Sequence, residues 1–354
     1  MSYAQPQYSR KQVARAGEVL RRLYDPSNDF NDAFDALLPD AFKVLSNWRS
    51  SHGFPLNTLT VSLKKHARVV SDNAVVVQRL KRLWSIMAKL ERETGMSLSR
   101  MQDIGGCRAV MPNVQAVYAL RDRLIRSSMR HELRRHTDYI ANPKTSGYRG
   151  IHLIYLYKSD RSQVYNNLSI EVQIRSRLQH AWATAVETVG TFLQQSLKAS
   201  QGSAEWLEFF EVVSRALSFI EDVVPLPDVP RIHEIFGRVQ ELSRALNVRQ
   251  VLDQYGRALQ STTENGPQDA AYYLLTLLPE KHTLTIQSYT VAQLTEANER
   301  YTATEQALSD IPGAQVVLVS AESLAALRSA YPNYFLDTDL FIEALTAIEQ
   351  NDLL

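Results

Sequence analysis

Between residues 74 and 197 the chain alternates short β-branched runs with stretches of helical period, and this alternation restricts the fold more than any other feature. Residues 74–80 (AVVVQRL) read as a strand that leads into a helix over 81–93, with Leu83, Trp84, Met87 and Leu90 on one face and Gly95 closing it. Residues 107–111, ended by Pro112, read as a strand, 114–126 as a helix, 151–157 and 168–174 as strands, and 176–197 as a helix. Upstream, Val13, Leu20 and Leu23, then Phe34, Leu37, Leu38, Phe42 and Leu45, recur at helical steps and predict two amphipathic helices. The expected class is α/β in the α+β sense, a mixed central sheet flanked by helices.

At 354 residues the chain has length for two domains. Helices are expected at about 203–222 and 232–262, separated by VVPLPDVP, whose three prolines stop a helix. A small α/β module follows, with a hairpin over 271–278 and 282–289, a helix at about 291–308, a strand over 314–319, and helices near 321–330 and 337–349. An apolar share of 45% with 22% charged residues excludes wholesale disorder. No apolar stretch approaches the roughly 18 residues that span a bilayer, and the first residues lack a signal-peptide core, so the expectation is a cytoplasmic protein with no membrane partner. The single cysteine, Cys107, excludes an internal disulfide and a cysteine-based zinc cluster.

Net charge conceals an asymmetry. Residues 1–190 carry 29 Lys and Arg against 16 Asp and Glu, a net of +13, whereas residues 191–354 carry 10 against 22, a net of −12. A basic half suits a polyanionic partner, and an acidic half on the same chain can dock against it and compete.

Three polar clusters fall at strand ends in the basic half. In the first, Arg79, Lys81 and Arg82 precede Ser85 and Lys89, and helical spacing puts Lys81, Ser85 and Lys89 on one face. The second, DIGGCR from Asp103 to Arg108, joins an acid to paired glycines and a guanidinium able to stack on a base. The third runs from Asp138 to His152 (DYIANPKTSGYRGIH) and is completed by EVQIR from Glu171 to Arg175. Asp103 and Glu171 can jointly hold Mg²⁺, Lys144 and the arginines can neutralise a polyphosphate, and Tyr148 offers a ring for a base. In EVQIR polar and apolar residues alternate, so one strand face is buried and the other presents Glu171, Gln173 and Arg175 to a cleft.

These motifs resemble the synthetase domain of the RelA/SpoT family of alarmone synthetases, over about residues 60–200. The family's R-x-K…SI…K segment is similar to Arg79, Lys81, Ser85–Ile86 and Lys89, its D-I-x-G-x-R to Asp103–Arg108, its DYI-x-x-PK-x-x-GYR-x-x-H to Asp138–His152, and its E-x-Q-I-R to Glu171–Arg175. Gly150 stands where a serine is usual and Ser176 where a threonine is usual. The resemblance implies that Arg79 and Arg108 sandwich the adenine of ATP, that Lys81, Lys89 and Lys144 bind its phosphates, and that Asp103 binds Mg²⁺. It implies that Glu171 joins the metal site or deprotonates the attacking ribose hydroxyl, and that Tyr148 stacks under the acceptor base. His152, Gln173, Arg175 and His180 match positions lining the cleft. No histidine here is followed by aspartate, the pair that long bifunctional members use for hydrolysis.

Near the C-terminus, Tyr331-Pro332-Asn333-Tyr334 resembles the Y-x-x-Y of the fused toxin–antitoxin branch called CapRel. That resemblance implies a toxin domain over 1–202, a helical connector over 203–262, and over 263–354 a regulatory domain that is zinc-finger-like but lacks metal ligands. It implies that Tyr331 and Tyr334 enter the adenine site to hold the enzyme off, that pyrophosphate moves from ATP to the 3′ CCA end of tRNA, and that a phage protein such as capsid relieves the block. Basic clusters at Lys64, Lys65, His66 and Arg68, and at Arg130, His131, Arg134, Arg135 and His136, suit a tRNA acceptor stem. The alternative is an alarmone synthetase that modifies GDP or GTP to give ppGpp or pppGpp.

Overall fold

The computed structural model describes residues 3–24, 32–192, 203–221, 229–252, 260–263, 267, 269–281, 283–308, 311, 314–321, 325, 327, 328, 335 and 338–350. Tyr331 and Tyr334 lie outside the described residues.

Four helices come first: α1 (Arg10–Arg21), α2 (Asp32–Asp35), α3 (Leu38–Ser51) and α4 (Gly53–Val70). Then follow β1 (Val75–Leu80), α5 (Leu83–Arg92), β2 (Gly105–Met111), α6 (Val114–Arg126), β3 (Glu132–Asp138), β4 (Ile151–Leu156), β5 (Ser169–Ser176) and α7 (Arg177–Phe192). Helices α8 (Ala204–Ile220) and α9 (Val229–Ala245) lead to β6 (Gln260–Thr263), β7 (Tyr272–Leu278), β8 (Thr283–Tyr289), α10 (Leu294–Ala307), β9 (Gln315–Ser320) and α11 (Asp339–Gln350).

The nine strands among the described residues form one mixed sheet in the order β3-β4-β5-β2-β1-β9-β7-β8-β6. Strands β2 and β5 run parallel, as do β6 and β8; the other pairs are antiparallel. The C-terminal strands therefore continue the N-terminal sheet, through a seam at which β1 pairs with β9 (Gln78 opposite Ser320, Arg79 opposite Val319).

Alternation of side chains along the strands divides the N-terminal sheet into two unlike faces. On one face Cys107, Ala109, Leu153, Tyr155, Ile170, Val172 and Ile174 pack against Leu56, Leu59, Leu63 and Ala67 of α4 and Val117, Leu120 and Leu124 of α6. The other face carries the polar residues of the same strands. Helices α1, α3 and α5 share a second core around Leu20, Leu45, Ile86 and Leu90.

Three sequence expectations are corrected. The segment 203–262 is no mere connector: Trp206, Phe209, Phe210 and Val213 of α8 join Trp182 of α7, Tyr148 and Phe341 of α11 in one buried cluster. Its last residues are not helical, because β6 pairs with β8 over 260–263. Helix α11, expected within the C-terminal module, packs by Phe341, Leu345 and Ile348 into that same helical core. The apolar stripes of these helices complement one another, a property invisible within any one of them.

Candidate active site

Register sets the site. Val77, Arg108, Gln173, His152 and Thr137 lie opposite one another in a row across β1, β2, β5, β4 and β3. Two residues further along each strand, on the same face, a second row holds Arg79, Gly106, Glu171, Ile154 and Arg135. Both rows floor a cavity of about 840 Å³, walled by Lys81, Lys89, Asp103, Tyr139 and Lys144. A cavity of about 530 Å³ shares Arg79, Lys81, Lys89, Asp103 and Lys144 with it and adds Ser85, Tyr148, Arg175, Phe210 of α8 and Gln315 of β9. Thus Arg79, Lys81, Ser85, Lys89, Asp103, Arg108, Lys144, Tyr148, His152, Glu171, Gln173 and Arg175, scattered over 97 positions from Arg79 to Arg175, meet in one cleft.

Two acids anchor its electrostatics. Asp103 Oδ2 accepts from Lys81 Nζ at 3.0 Å and Oδ1 from Lys89 Nζ at 3.1 Å. Burial pushes the Asp103 carboxyl up, but the two ammonium groups prevail and pull it down to about 2. Burial also lowers Lys81, with Asp103 opposing. Glu171 Oε1 lies 2.8 Å from His152 Nδ1, and Oε2 accepts from Gln173 Nε2 at 2.8 Å. Burial again raises this carboxyl, and the bonds and charge of His152 outweigh it, holding it at about 2. Both carboxylates are thus ionised oxygen donors on one cavity, a set that fits Mg²⁺.

The network continues outward. Tyr148 Oη sits 2.6 Å from His152 Nε2 and accepts from Arg175 Nε at 3.2 Å, while Arg175 Nη2 donates to Gln173 Oε1 at 3.2 Å. Burial raises the Tyr148 phenol, but Arg175 and His152 overcome it and bring it to about 7. Burial lowers His152, whereas Tyr148 and Glu171 raise it, and the net direction is upward.

The ring of Tyr148 is 8% exposed and absent from the larger cavity's lining. The Arg175 guanidinium lies 4.9 Å and the Lys144 ammonium 5.1 Å from its centre. Here the ring has two cations beside it, while Tyr148 also lines the smaller cavity. Tyr139, whose role the sequence left unassigned, lines the larger cavity, with Lys144 Nζ 4.7 Å from its ring centre. His180 is not brought to the cleft. It is buried in the first turn of α7, where the passage from β5 draws Ser176 and Gln179 inward to bond Glu221, and it lines neither cavity.

Glycine is required at the turn carrying Lys144. Gly147 has φ +83°, and a Cβ there would meet Ser214 Cβ at 2.9 Å and Glu211 Cα at 3.0 Å. The turn closes with Gly147 N donating to Lys144 O at 2.8 Å and Lys144 N to Tyr148 O at 3.2 Å.

The basic clusters separate. Lys64, Lys65 and Arg68 belong to α4, the helix covering the sheet face opposite the cleft. Arg134, Arg135 and His136 lie exposed on β3, the edge strand, and Arg135 lines the cavity itself. That strand was missed in the sequence because it has no apolar face; an edge position explains its polarity.

Residues 78–190, which contribute most of the cleft's side chains, match the family model described as a region found in RelA / SpoT proteins. Among particular relatives, the GTP pyrophosphokinase YjbM of Bacillus subtilis is 32% identical over 111 residues, 31% of this chain and 52% of the relative. A GTP pyrophosphokinase of Photobacterium angustum is 30% identical over 152 residues, 42% of this chain and 19% of the relative. The chain thus spans about half of the first relative's length and about a fifth of the second's. Among solved structures, small alarmone synthetase 1 of Bacillus subtilis bound to its product pppGpp aligns with 24% identity and a TM-score of 0.42, covering 58% of this chain and 99% of the other.

Proposed function

We propose that the chain is an ATP-dependent pyrophosphokinase toxin that transfers pyrophosphate to the 3′ CCA end of tRNA and so blocks aminoacylation and translation. The observation that carries the reading is the convergence of Lys81, Lys89, Lys144, Arg79 and Arg108 with Asp103 and Glu171 on one cavity. Five cations suit a triphosphate, and two ionised acids suit its metal.

In this reading Asp103 and Glu171 hold Mg²⁺, which when bound neutralises charge on the phosphates. Lys81 and Lys89 exchange Asp103 for phosphate oxygens. A ribose hydroxyl oxygen bonds to the β-phosphorus as the bond to the α-phosphate oxygen breaks and AMP leaves. Where Glu171 is not engaged by the metal it takes the hydroxyl proton instead, with His152 behind it.

Support for a tRNA acceptor comes from β3, whose Arg135 lines the cavity on an exposed edge strand that also bears Arg134 and His136. Support for a second reading, with GDP or GTP as acceptor, comes from the relatives' description as GTP pyrophosphokinases. Autoinhibition by the C-terminal module, with Tyr331 and Tyr334 in the adenine site and release by phage capsid or another phage protein, belongs to the first reading. It is favoured by Gln315 of that module lining the smaller cavity. The deciding experiment incubates the full chain, alone and with phage capsid protein, with Mg²⁺, γ-labelled ATP, and either deacylated tRNA or GDP and GTP. Label on tRNA upholds the toxin; label on guanosine nucleotides alone replaces it with the alarmone synthetase.

A further inference from the structure

Helix α5 delivers Ser85 and Lys89 to the cleft, yet its own sequence does not cap it. The N-cap residue is Arg82, whose side chain makes no capping bond. A helix begins with backbone N–H groups that lack partners, and one left buried and unpaired is costly. Here the partner comes from 222 positions away: Glu305 of α10 accepts from Leu83 N at 3.0 Å through Oε1. A carboxylate at that end also meets the positive end of the helix dipole.

The same turn is held from a second side. Arg49 of α3 donates from Nε to Lys81 O at 2.7 Å, and its guanidinium lies 4.4 Å from the ring centre of Tyr301, one helical turn before Glu305 on α10. Lys81 N donates to Ile104 O at 2.7 Å. The backbone between Lys81 and Leu83 is therefore fixed by β2's approach loop, by α3 and by the C-terminal module. This turn sets the distance between Arg79 and Lys81 at the end of β1 and Ser85 and Lys89 on α5.

Glu305 is 4% exposed, and burial raises its carboxyl above the ordinary range, with Arg49 opposing. A buried acid is an expensive way to fill space beside Ala297 and Tyr301, the other buried residues of α10, when a leucine would pack without desolvation cost. Capping α5 is the return that the geometry shows.

We propose that Glu305, assisted by Tyr301 through Arg49, is a positioning residue for the ATP phosphates, acting through the turn between β1 and α5. The inference rests on the pyrophosphokinase reading for the identity of the ligand. It gives the C-terminal module a constructive part in the nucleotide subsite, in addition to any inhibitory one.

The test uses the full chain, α,β-methylene-ATP with Mg²⁺ as probe, and deuterium exchange over residues 80–88. Glu305→Ala is expected to speed uptake in that segment and weaken analogue affinity about five- to tenfold, the equivalent of one helix cap, with GDP and tRNA affinities unchanged. Glu305→Gln, which retains an acceptor oxygen, is expected to stay within about threefold of the parent. If Glu305→Ala does not fold, Tyr301→Leu carries the test: losing the ring beside the Arg49 guanidinium is expected to speed uptake over 80–88 and weaken analogue affinity. Unchanged uptake over 80–88 overturns the cap. Changed uptake with unchanged analogue affinity overturns its role in positioning. A parent chain that binds no analogue overturns the pyrophosphokinase reading, and with it the positioning role, while the uptake comparison still decides the cap.

Discussion

Lys81 and Asp103 face each other across the end of β1 and the approach to β2, with Nζ 3.0 Å from Oδ2, so a candidate phosphate ligand and a candidate metal ligand neutralise one another in this state. Lys89 completes the arrangement from α5 at 3.1 Å.

Replacing Asp103 by asparagine should separate these roles. Mg²⁺-dependent transfer is expected to fall by about a thousandfold, because the variant loses an ionised oxygen donor. In EDTA, the same variant is expected to bind ATP severalfold more tightly than the parent, because Lys81 and Lys89 no longer share a counter-charge. Weaker metal-free binding would contradict the exchange of partners.

Acid should attack the same contact. The folded carboxyl of Asp103 is depressed to about 2 from its ordinary 3.8, so its contribution to stability is present above about pH 4 and lost as pH falls toward 2. The contribution is at most about 2.5 kcal/mol. Urea midpoints at pH 6 and pH 3 measure it: the parent should lose more stability over this interval than Asp103→Asn does.

Gly147→Ala is expected to destabilise the chain by about 1–3 kcal/mol, since φ +83° is strained for alanine and the new methyl meets Ser214 and Glu211 of α8. The turn carrying Lys144 should shift with it, reducing transfer further than the lowered melting temperature explains. A variant matching the parent in both measurements would show that the turn is not closely held.

Cys107 should be inert. It is 2% exposed on β2, and burial raises its thiol to about 12. Its thiolate fraction at pH 8 is about a thousandfold below that of a free cysteine, and thiol reagents should modify the chain only after denaturant is added. Fast labelling of the native chain would show that the face between β2 and α4 opens readily.

Leu275 of β7 is fully buried in a cluster that includes Val77 of β1, on the other side of the seam. Leu275→Ala is expected to cost about 2–5 kcal/mol and to lower the melting of both halves together. Two separate transitions in calorimetry would show that the seam does not couple them.

What the sequence made legible follows from how local each signal is. The alternation of Glu171, Gln173 and Arg175 with Val172 and Ile174 fixes one strand and its faces without reference to other elements. The stretches ending at Leu80 and Arg126 were legible for the same reason. Strand β3 was not, because Arg134, Arg135 and His136 have no apolar alternation to display. Long-range complementarity was also hidden: nothing near Arg82 announces a cap supplied by Glu305, and nothing in α8 announces that Phe210 will wall a cleft. His180 shows the converse error, a position that matches a motif in sequence but is turned into the interior.

The seam between β1 and β9 bears on how such a chain tolerates recombination. Main-chain pairing at Gln78 and Arg79 reads no side chain, so a foreign module ending in a comparable strand would satisfy the edge's hydrogen bonds whatever its sequence at those two positions. Discrimination between native and foreign modules would fall to side chains that cross the junction: the Tyr301 ring against Arg49, the Glu305 carboxylate on the backbone of Leu83, and Val77 in its cluster with Leu275. In a chain exchanging its C-terminal strands while keeping its N-terminal ones, Arg49, Val77, Leu275, Tyr301 and Glu305 would be inherited as a set.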